Sequence, residues 1–118
     1  MKSEAKGLSR LWFASKYSWR GLVAGFKTEP ALRQEIIALL IILPVICWLD
    51  VSPAERAILL LSTLLVLIVE LLNTAVETAV DRIGHDYHEL SGKAKDLSSA
   101  AVLIALCGAA ASWLIILW

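Results

Sequence analysis

The chain has 118 residues, 58% of them hydrophobic, with 11 basic and 11 acidic side chains and a net charge of zero; its mean hydropathy is +0.72. That length is enough for one domain, and so apolar a composition excludes an ordinary water-soluble fold. A neutral balance leaves no electrostatic footprint for nucleic acid.

Met1 to Gly7 (MKSEAKG) leads into an amphipathic stretch rather than a short apolar run with a cleavage site, so no secretory signal peptide is expected. Residues 8–27 read as a helix lying in a membrane surface. On a wheel of about 100° per residue, Leu8, Leu11, Trp12, Trp19, Leu22, Val23 and Phe26 gather on one side, and Lys6, Arg10, Lys16, Arg20 and Lys27 on the adjoining one with Tyr17.

Three apolar stretches follow. The first covers residues 31–49, with Arg33 and Glu35 near one end and 14 uncharged residues from Ile36 to Leu49. The linker Asp50–Arg56 (DVSPAER) offers Ser52 as a helix N-cap and Pro53 as the first helical residue. The second stretch, residues 57–80, is interrupted by Glu70, Asn73 and Glu77. A charged linker is expected from Asp81 to Asp96, with Gly84 and Gly92 as breakers. The third stretch, residues 97–118, carries no charge. Its small residues Ala101, Ala105 and Ala109 recur at every fourth position, a pattern that lets helices approach closely and favours self-association. Cys47 and Cys107, each inside an apolar run, are expected as buried small hydrophobes rather than as a disulfide or metal site.

Basic residues set the orientation. Residues 1–30 hold Lys2, Lys6, Arg10, Lys16, Arg20 and Lys27, and the second linker holds Arg82, Lys93 and Lys95, whereas the first holds only Arg56. The positive-inside rule puts the N-terminus and the second linker in the cytoplasm. Trp48, Trp113 and Trp118 then suit the outer interface, where indole rings prefer to sit.

Chemistry concentrates in the second span. Glu70, Asn73, Glu77 and Asp81 project within roughly 80° of one another on a helix. Each carboxylate inside a bilayer costs on the order of 2.5–3.5 kcal/mol, so two glutamates on one face point to function rather than to a polar seam that glues helices. With Asp81 at the cytoplasmic end, Glu77 lies about 6 Å in and Glu70 about 16 Å along the axis. Glu77 can meet a water-soluble ligand, and Glu70 something that enters from lipid. Such a site suits transfer between a soluble phosphate donor and a lipid alcohol, with Mg²⁺ offsetting the repulsion between carboxylates and phosphates. The second linker adds His85, Asp86, Tyr87, His88, Lys93, Lys95 and Asp96, at spacings that match no tight zinc motif. Neither a Walker A sequence nor a kinase glycine loop occurs.

The run Glu70–Asp81 (ELLNTAVETAVD), with YHELSG at 87–92, AKD at 94–96, RQE at 33–35, YSW at 17–19 and CWLD at 47–50, resembles the prokaryotic integral-membrane diacylglycerol kinases over nearly the whole chain. The resemblance implies an all-α membrane protein: a homotrimer of three-span subunits, each with an N-terminal surface helix, in the bacterial inner membrane. The C-terminus would be periplasmic. It implies transfer of the ATP γ-phosphate to diacylglycerol, giving phosphatidate.

Carried over by position, Glu70 resembles the catalytic base, with Asn73 and Asp81 supporting it, and Glu29 and Glu77 resemble the Mg²⁺ and ATP ligands. Arg10, Tyr17, Asp86, Tyr87, His88, Lys95 and Asp96 resemble further nucleotide contacts, with Lys95 stabilising the transferring group. Lipid-side contacts resemble, near the N-terminus, Arg10, Ala14, Ser15, Lys16, Tyr17, Ser18 and Trp19, then Val23, Ala24, Gly25 and Phe26. The start of the first span adds Ala31, Leu32, Arg33, Gln34 and Glu35. At the other end the same resemblance covers Trp48, Leu49, Asp50, Val51 and Arg56, and, in the last span, Ser99, Trp113, Leu114, Ile115, Ile116, Leu117 and Trp118; Glu70 would also face the lipid. Asp86 stands where familiar members carry Glu, Val23 where a basic side chain is expected, and Pro30 restrains Glu29 toward extended geometry. The nearest alternative is an undecaprenol kinase, against which YHELSG is the argument. An ion-coupled transporter would use Glu70 and Glu77 as a relay, but three spans without a broken-helix repeat do not fit that design.

Overall fold

The computed structural model describes residues 7–84 and 86–118. Lys2, Lys6 and His85, used in the readings above, lie outside the described residues. The described chain is all-helical: α1 (Leu8–Thr28), α2 (Pro30–Trp48), α3 (Pro53–Ile83) and α4 (Glu89–Leu117).

Local sequence explains most of the boundaries. Glu29 alone separates α1 from α2. It is extended (φ −115°, ψ 107°), as a residue before proline should be, and Pro30 opens α2 where the missing N–H costs nothing. Ser52 and Glu55 form a reciprocal capping box at the start of α3: the Ser52 N–H donates to Glu55 Oε1 at 2.9 Å and the Glu55 N–H to Ser52 Oγ at 3.2 Å. Gly84 ends α3, and His88 caps α4, its Nδ1 accepting the Leu90 N–H at 3.1 Å.

The second linker is shorter than expected. Asp81 and Arg82 belong to α3, while Lys93, Lys95 and Asp96 belong to α4, so only Gly84–His88 connects them. Gly92 is helical and not a breaker. The His88 cap nucleates a turn that the good helix formers Glu89, Leu90, Lys93, Ala94 and Lys95 extend. Charged side chains expected on a loop are therefore held at fixed helical spacing.

Three helices, α2, α3 and α4, are long and apolar enough to cross a membrane. α2 has 19 residues, which at about 1.5 Å each just spans a hydrocarbon core of about 30 Å. Packing runs in chain order, α1 on α2, α2 on α3, and most extensively α3 on α4. Among the described residues only Leu32, Ile46, Leu59, Val66 and Ala105 are buried, while Leu40, Ile41, Leu61, Leu72, Ile104 and Ile115 stand more than half exposed. In water so small a core beside so much open apolar surface would not hold; in lipid those faces are solvated. Cys47 and Cys107 are free and exposed, not buried as expected, because they sit on outward faces that only lipid or another chain would cover.

Arginines tie the helix ends together. Arg33 donates from Nε to the Phe26 carbonyl and from a terminal nitrogen to the Lys27 carbonyl, both at 3.0 Å, and lies over the Phe26 ring. These are last-turn carbonyls of α1 that the helix itself leaves unsatisfied. Arg56 does the same for α2 at the Ile46 carbonyl, and also donates to the Val51 carbonyl in the linker that follows. A Cβ on Gly25 would lie 2.8 Å from Leu32 Cδ1, so any side chain there would make the buried Leu32 shift.

Candidate active site

The site grows out of a single seam on α3. Leu59, Thr63, Val66, Glu70, Asn73 and Glu77 follow one another by steps of four and three, the spacing that keeps one helical face against a neighbour. Leu59 and Val66 are 0% and 4% exposed. The polar stripe is thus the continuation of the packed face. Glu70 and Asn73 are half-buried there, Glu77 and Asp81 exposed.

Hydrogen bonds order the stripe. Asn73 Nδ2 donates to Glu77 Oε1 at 2.8 Å. From α4, Ser98 Oγ donates to Asn73 Oδ1 at 2.7 Å. One turn nearer the helix ends, Lys95 Nζ donates to Asp81 Oδ1 at 2.9 Å. With both partners about half exposed, solvent screening leaves that ion pair little net stability; its use is to fix a cation beside the stripe. Glu70 lies within electrostatic reach of Glu77 and of Glu35 on α2.

Beyond Asp81 the stripe opens into a cavity of about 330 Å³ lined by Asp81, Asp86, Tyr87, His88, Gly92 and Lys95 among others. Five expected site residues meet there. Asp96 does not line it, and neither do Arg10, Tyr17 or Glu29. Glu29 instead lines a second cavity, of about 580 Å³, between α1 and the Leu71, Thr74, Ala75 and Thr78 face of α3. Ser18, Ala24, Gly25 and Leu32 share it, and Glu77 does not. Glu29 and Glu77 are therefore not joined in one cavity of this chain.

The lipid-side expectations divide in the same way. Trp19, Val23 and Phe26 line an apolar cavity of about 400 Å³ with Leu22, Ile36, Leu39 and Leu67. Ser15 and Ser18 turn their hydroxyls back onto the carbonyls of Leu11 and Ala14, each at 2.8 Å, and Ala14, Lys16, Ala31 and Gln34 are exposed. Trp113, Leu114, Leu117 and Trp118 line a shallow cavity of about 220 Å³; it stands with Trp48, Leu49, Asp50, Val51 and Arg56 at the opposite end of the antiparallel helices. Arg56 is about 38 Å from Asp81 along α3 at 1.5 Å per residue. Those residues and the polar stripe do not meet within one chain.

Sequence reading missed Ser98 and Thr63. Trp113 Nε1 donates to Thr63 Oγ1 at 3.1 Å. Both contacts join positions disposed almost symmetrically about the Gly84–His88 turn, the only clue in the sequence to which residues face one another.

Residues 16–117 match the prokaryotic diacylglycerol kinase family. The chain belongs to the prokaryotic diacylglycerol kinases. The diacylglycerol kinase of Escherichia coli strain K12 is 51% identical over 118 residues, covering 100% of this chain and 97% of that one. Those of Haemophilus influenzae and Pseudomonas aeruginosa are 48% and 45% identical over 107 and 111 residues, covering 91% and 94% of this chain and 91% and 90% of theirs. As a family member the chain is an enzyme, a lipid kinase with ATP as co-substrate, and neither the transporter nor the undecaprenol kinase reading is favoured.

The donor chemistry of Glu29 and Glu77, though not their separate placement within this chain, suits a magnesium ion. Glu29 and Glu77 offer hard carboxylate oxygens, and Glu77 keeps one oxygen outside its bond to Asn73. Among the described residues no group of three or more His, Cys, Asp or Glu could hold a metal. Mg²⁺ needs no such cage, since it is commonly held by one or two carboxylates together with substrate phosphates.

Proposed function

We propose that the chain transfers the γ-phosphate of ATP to the free hydroxyl of diacylglycerol, giving phosphatidate, at the cytoplasmic face of the bacterial inner membrane. The observation that carries this reading is the stripe itself: Glu70 and Asn73 half-buried in the packed seam, Glu77 and Asp81 exposed where the seam opens into the polar cavity. Glu70, the deepest carboxylate, takes or orients the proton of the lipid hydroxyl, a general-base role worth about 10²–10⁴-fold. Glu77 and Glu29 would hold Mg²⁺ together with the ATP phosphates, and the ion would supply charge neutralisation there. Lys95, fixed by Asp81, faces the transferring phosphoryl group. Asp86, Tyr87, His88 and Asp96 approach the nucleotide from the turn and α4, and Arg10 and Tyr17 from α1.

The decisive assay uses the purified protein in lipid vesicles with γ-labelled ATP and Mg²⁺, offered diacylglycerol and undecaprenol separately. Label in phosphatidate is the expected outcome; label only in undecaprenyl phosphate would overturn the choice of acceptor.

The amphipathic α1 lies in the membrane surface, and its exposed Leu8, Leu11, Trp12 and Trp19 support this. Lys16 over the Trp12 ring at 5.5 Å and Arg20 beside Tyr17 at 5.8 Å suit the boundary between apolar and charged layers. The N-terminus is cytoplasmic and the C-terminus periplasmic. A reporter fused after Trp118 should be active only on the periplasmic side, and cytoplasmic activity would refute the three-crossing topology.

The working unit is a trimer with shared sites. In support, Glu29, Arg10 and Tyr17 do not reach the polar cavity of their own subunit, and the Ala101, Ala105, Gly108 and Ala109 groove of α4 is open for close packing. At Mg·ATP concentrations too low to support Glu29→Gln alone, mixing it with inactive Glu70→Gln should restore a measurable fraction of activity, since some mixed sites draw both intact residues. No recovery in mixtures that crosslinking shows to contain both chains would rule out sharing.

A further inference from the structure

Ser98 sits in the third turn of α4, where the connecting turn has been left behind and the uncharged span has begun. It is half-buried against α3. Its hydroxyl donates to Asn73 Oδ1 at 2.7 Å, and the other end of the same amide donates to Glu77 Oε1 at 2.8 Å. The two ends of an amide are nearly alike in size and opposite in chemistry, the oxygen accepting and the NH₂ donating. Packing therefore cannot choose between them; hydrogen-bond partners must.

A carboxylate on one side accepts only, so it calls for the NH₂ end. It does so weakly at the mouth of the seam, where water reaches the exposed Glu77. The hydroxyl on the other side supplies the complementary demand, because its proton needs an acceptor. The alternative acceptor for that proton is the Lys95 carbonyl at 3.0 Å, which already accepts in the helix ladder of α4. Turned by half a rotation, the amide would set its oxygen against the Glu77 carboxylate, acceptor to acceptor. Ser98 thus fixes which end of Asn73 meets Glu77, and through it which way the Glu77 carboxylate is held.

We propose that Ser98 is a positioning residue for the kinase reaction: acting through Asn73, it orients Glu77 for the Mg·ATP that Glu77 receives. The inference rests on the reading of Asn73 and Glu77 as part of the site. It sets Ser98 apart from the neighbouring Ser99, which is exposed and for which no such contact exists among the described residues.

The test compares Ser98→Ala, Asn73→Ala, the double variant and Ser98→Thr in lipid vesicles. Turnover, the apparent KM for Mg·ATP, the KM for diacylglycerol and the melting midpoint are measured for each. Ser98→Ala should raise the Mg·ATP KM about three- to tenfold, the scale of one neutral hydrogen bond, with the diacylglycerol KM within twofold of wild type. Ser98→Thr, which keeps the hydroxyl, should recover most of the loss. The double variant should be no worse than Asn73→Ala, because the relay is already cut. A Ser98→Ala enzyme with wild-type constants beside an impaired Asn73→Ala enzyme would overturn the proposal and leave the reading of the site intact. So would equal losses in both backgrounds, or a lowered melting midpoint with no change in the Mg·ATP KM. If Asn73→Ala itself matched wild type, the reading of the stripe as the site would fail and the proposal with it. Should Ser98→Ala fail to fold, Ser98→Cys keeps the volume and weakens the donor, and the same shift in Mg·ATP KM, reduced in size, is required of it.

Discussion

The seam between α3 and α4 has two halves laid out on the same spacing and filled with opposite chemistry. Toward the Asp50–Arg56 turn, Leu59 and Val66 are sealed, and Thr63 accepts the Trp113 indole N–H across the helices. Toward Gly84–His88 the equivalent positions are Glu70, Asn73 and Glu77, and none of them is fully buried. A helix face that must hold carboxylates cannot also close, since buried charge costs far more than buried leucine stabilises. The apolar half therefore sets the register of two long helices, and the polar half inherits a rigid arrangement it could not have produced alone. Rigid elements serve a site better than loops do.

The comparison is broken most forcefully at Glu70, where the halves meet. Glu70→Gln keeps the volume and removes the base, and turnover should fall about 10²–10⁴-fold while ATP still binds and the melting midpoint holds. A variant that keeps more than about a tenth of the wild-type rate would end the base assignment. Next in size are Glu77→Gln and Glu29→Gln. Each removes a hard oxygen ligand, so each should shift the Mg²⁺ and ATP titrations about tenfold or more, a loss of at least about 1.4 kcal/mol. Titrations that overlay wild type would cancel the metal assignment for that residue.

How far this contrast could be read in advance depends on how local each feature is. Ser52 and Pro53 announce the start of α3, and the structure forms that cap, with Glu55 completing it. The stripe is equally legible, because periodicity within one helix needs no knowledge of its neighbours. The Asp81–Asp96 segment was misread for a physical reason: charge marks solvent, not loop, and Lys93, Lys95 and Asp96 are solvated while helical. Contacts that depend on register were beyond reach. Nothing near Asn73 in sequence points to Ser98, and nothing near Thr63 points to Trp113, until the short turn fixes how α3 and α4 pass one another. Arg33 and Arg56 show the same limit. Their charge is visible, but their engagement with the carbonyls of preceding helices is a property of the elbows.

The smallest expected effect sharpens the comparison from the apolar half. Thr63 has two roles: its hydroxyl donates to the Leu59 carbonyl at 2.7 Å and accepts the Trp113 indole N–H at 3.1 Å. Thr63→Val preserves shape and β-branching and removes both bonds. The back-bond to Leu59 is a minor loss, since that carbonyl remains in the helix ladder. The indole N–H, half-buried between helices, is the group left without a partner, and an unsatisfied donor costs about 1–3 kcal/mol. Polar contacts between membrane helices average less, about 0.6 kcal/mol, because the separated helices find other partners too. The expected destabilisation is therefore about 1 kcal/mol, read as a lower resistance to denaturation in mixed micelles. Turnover per folded enzyme and both KM values should stay at wild type, because Thr63 lies seven residues, about 10 Å along the axis, from Glu70. A variant that loses activity without losing stability would show that the apolar half does more than hold register, and the division of the seam into a structural half and a chemical half would have to be redrawn above Val66.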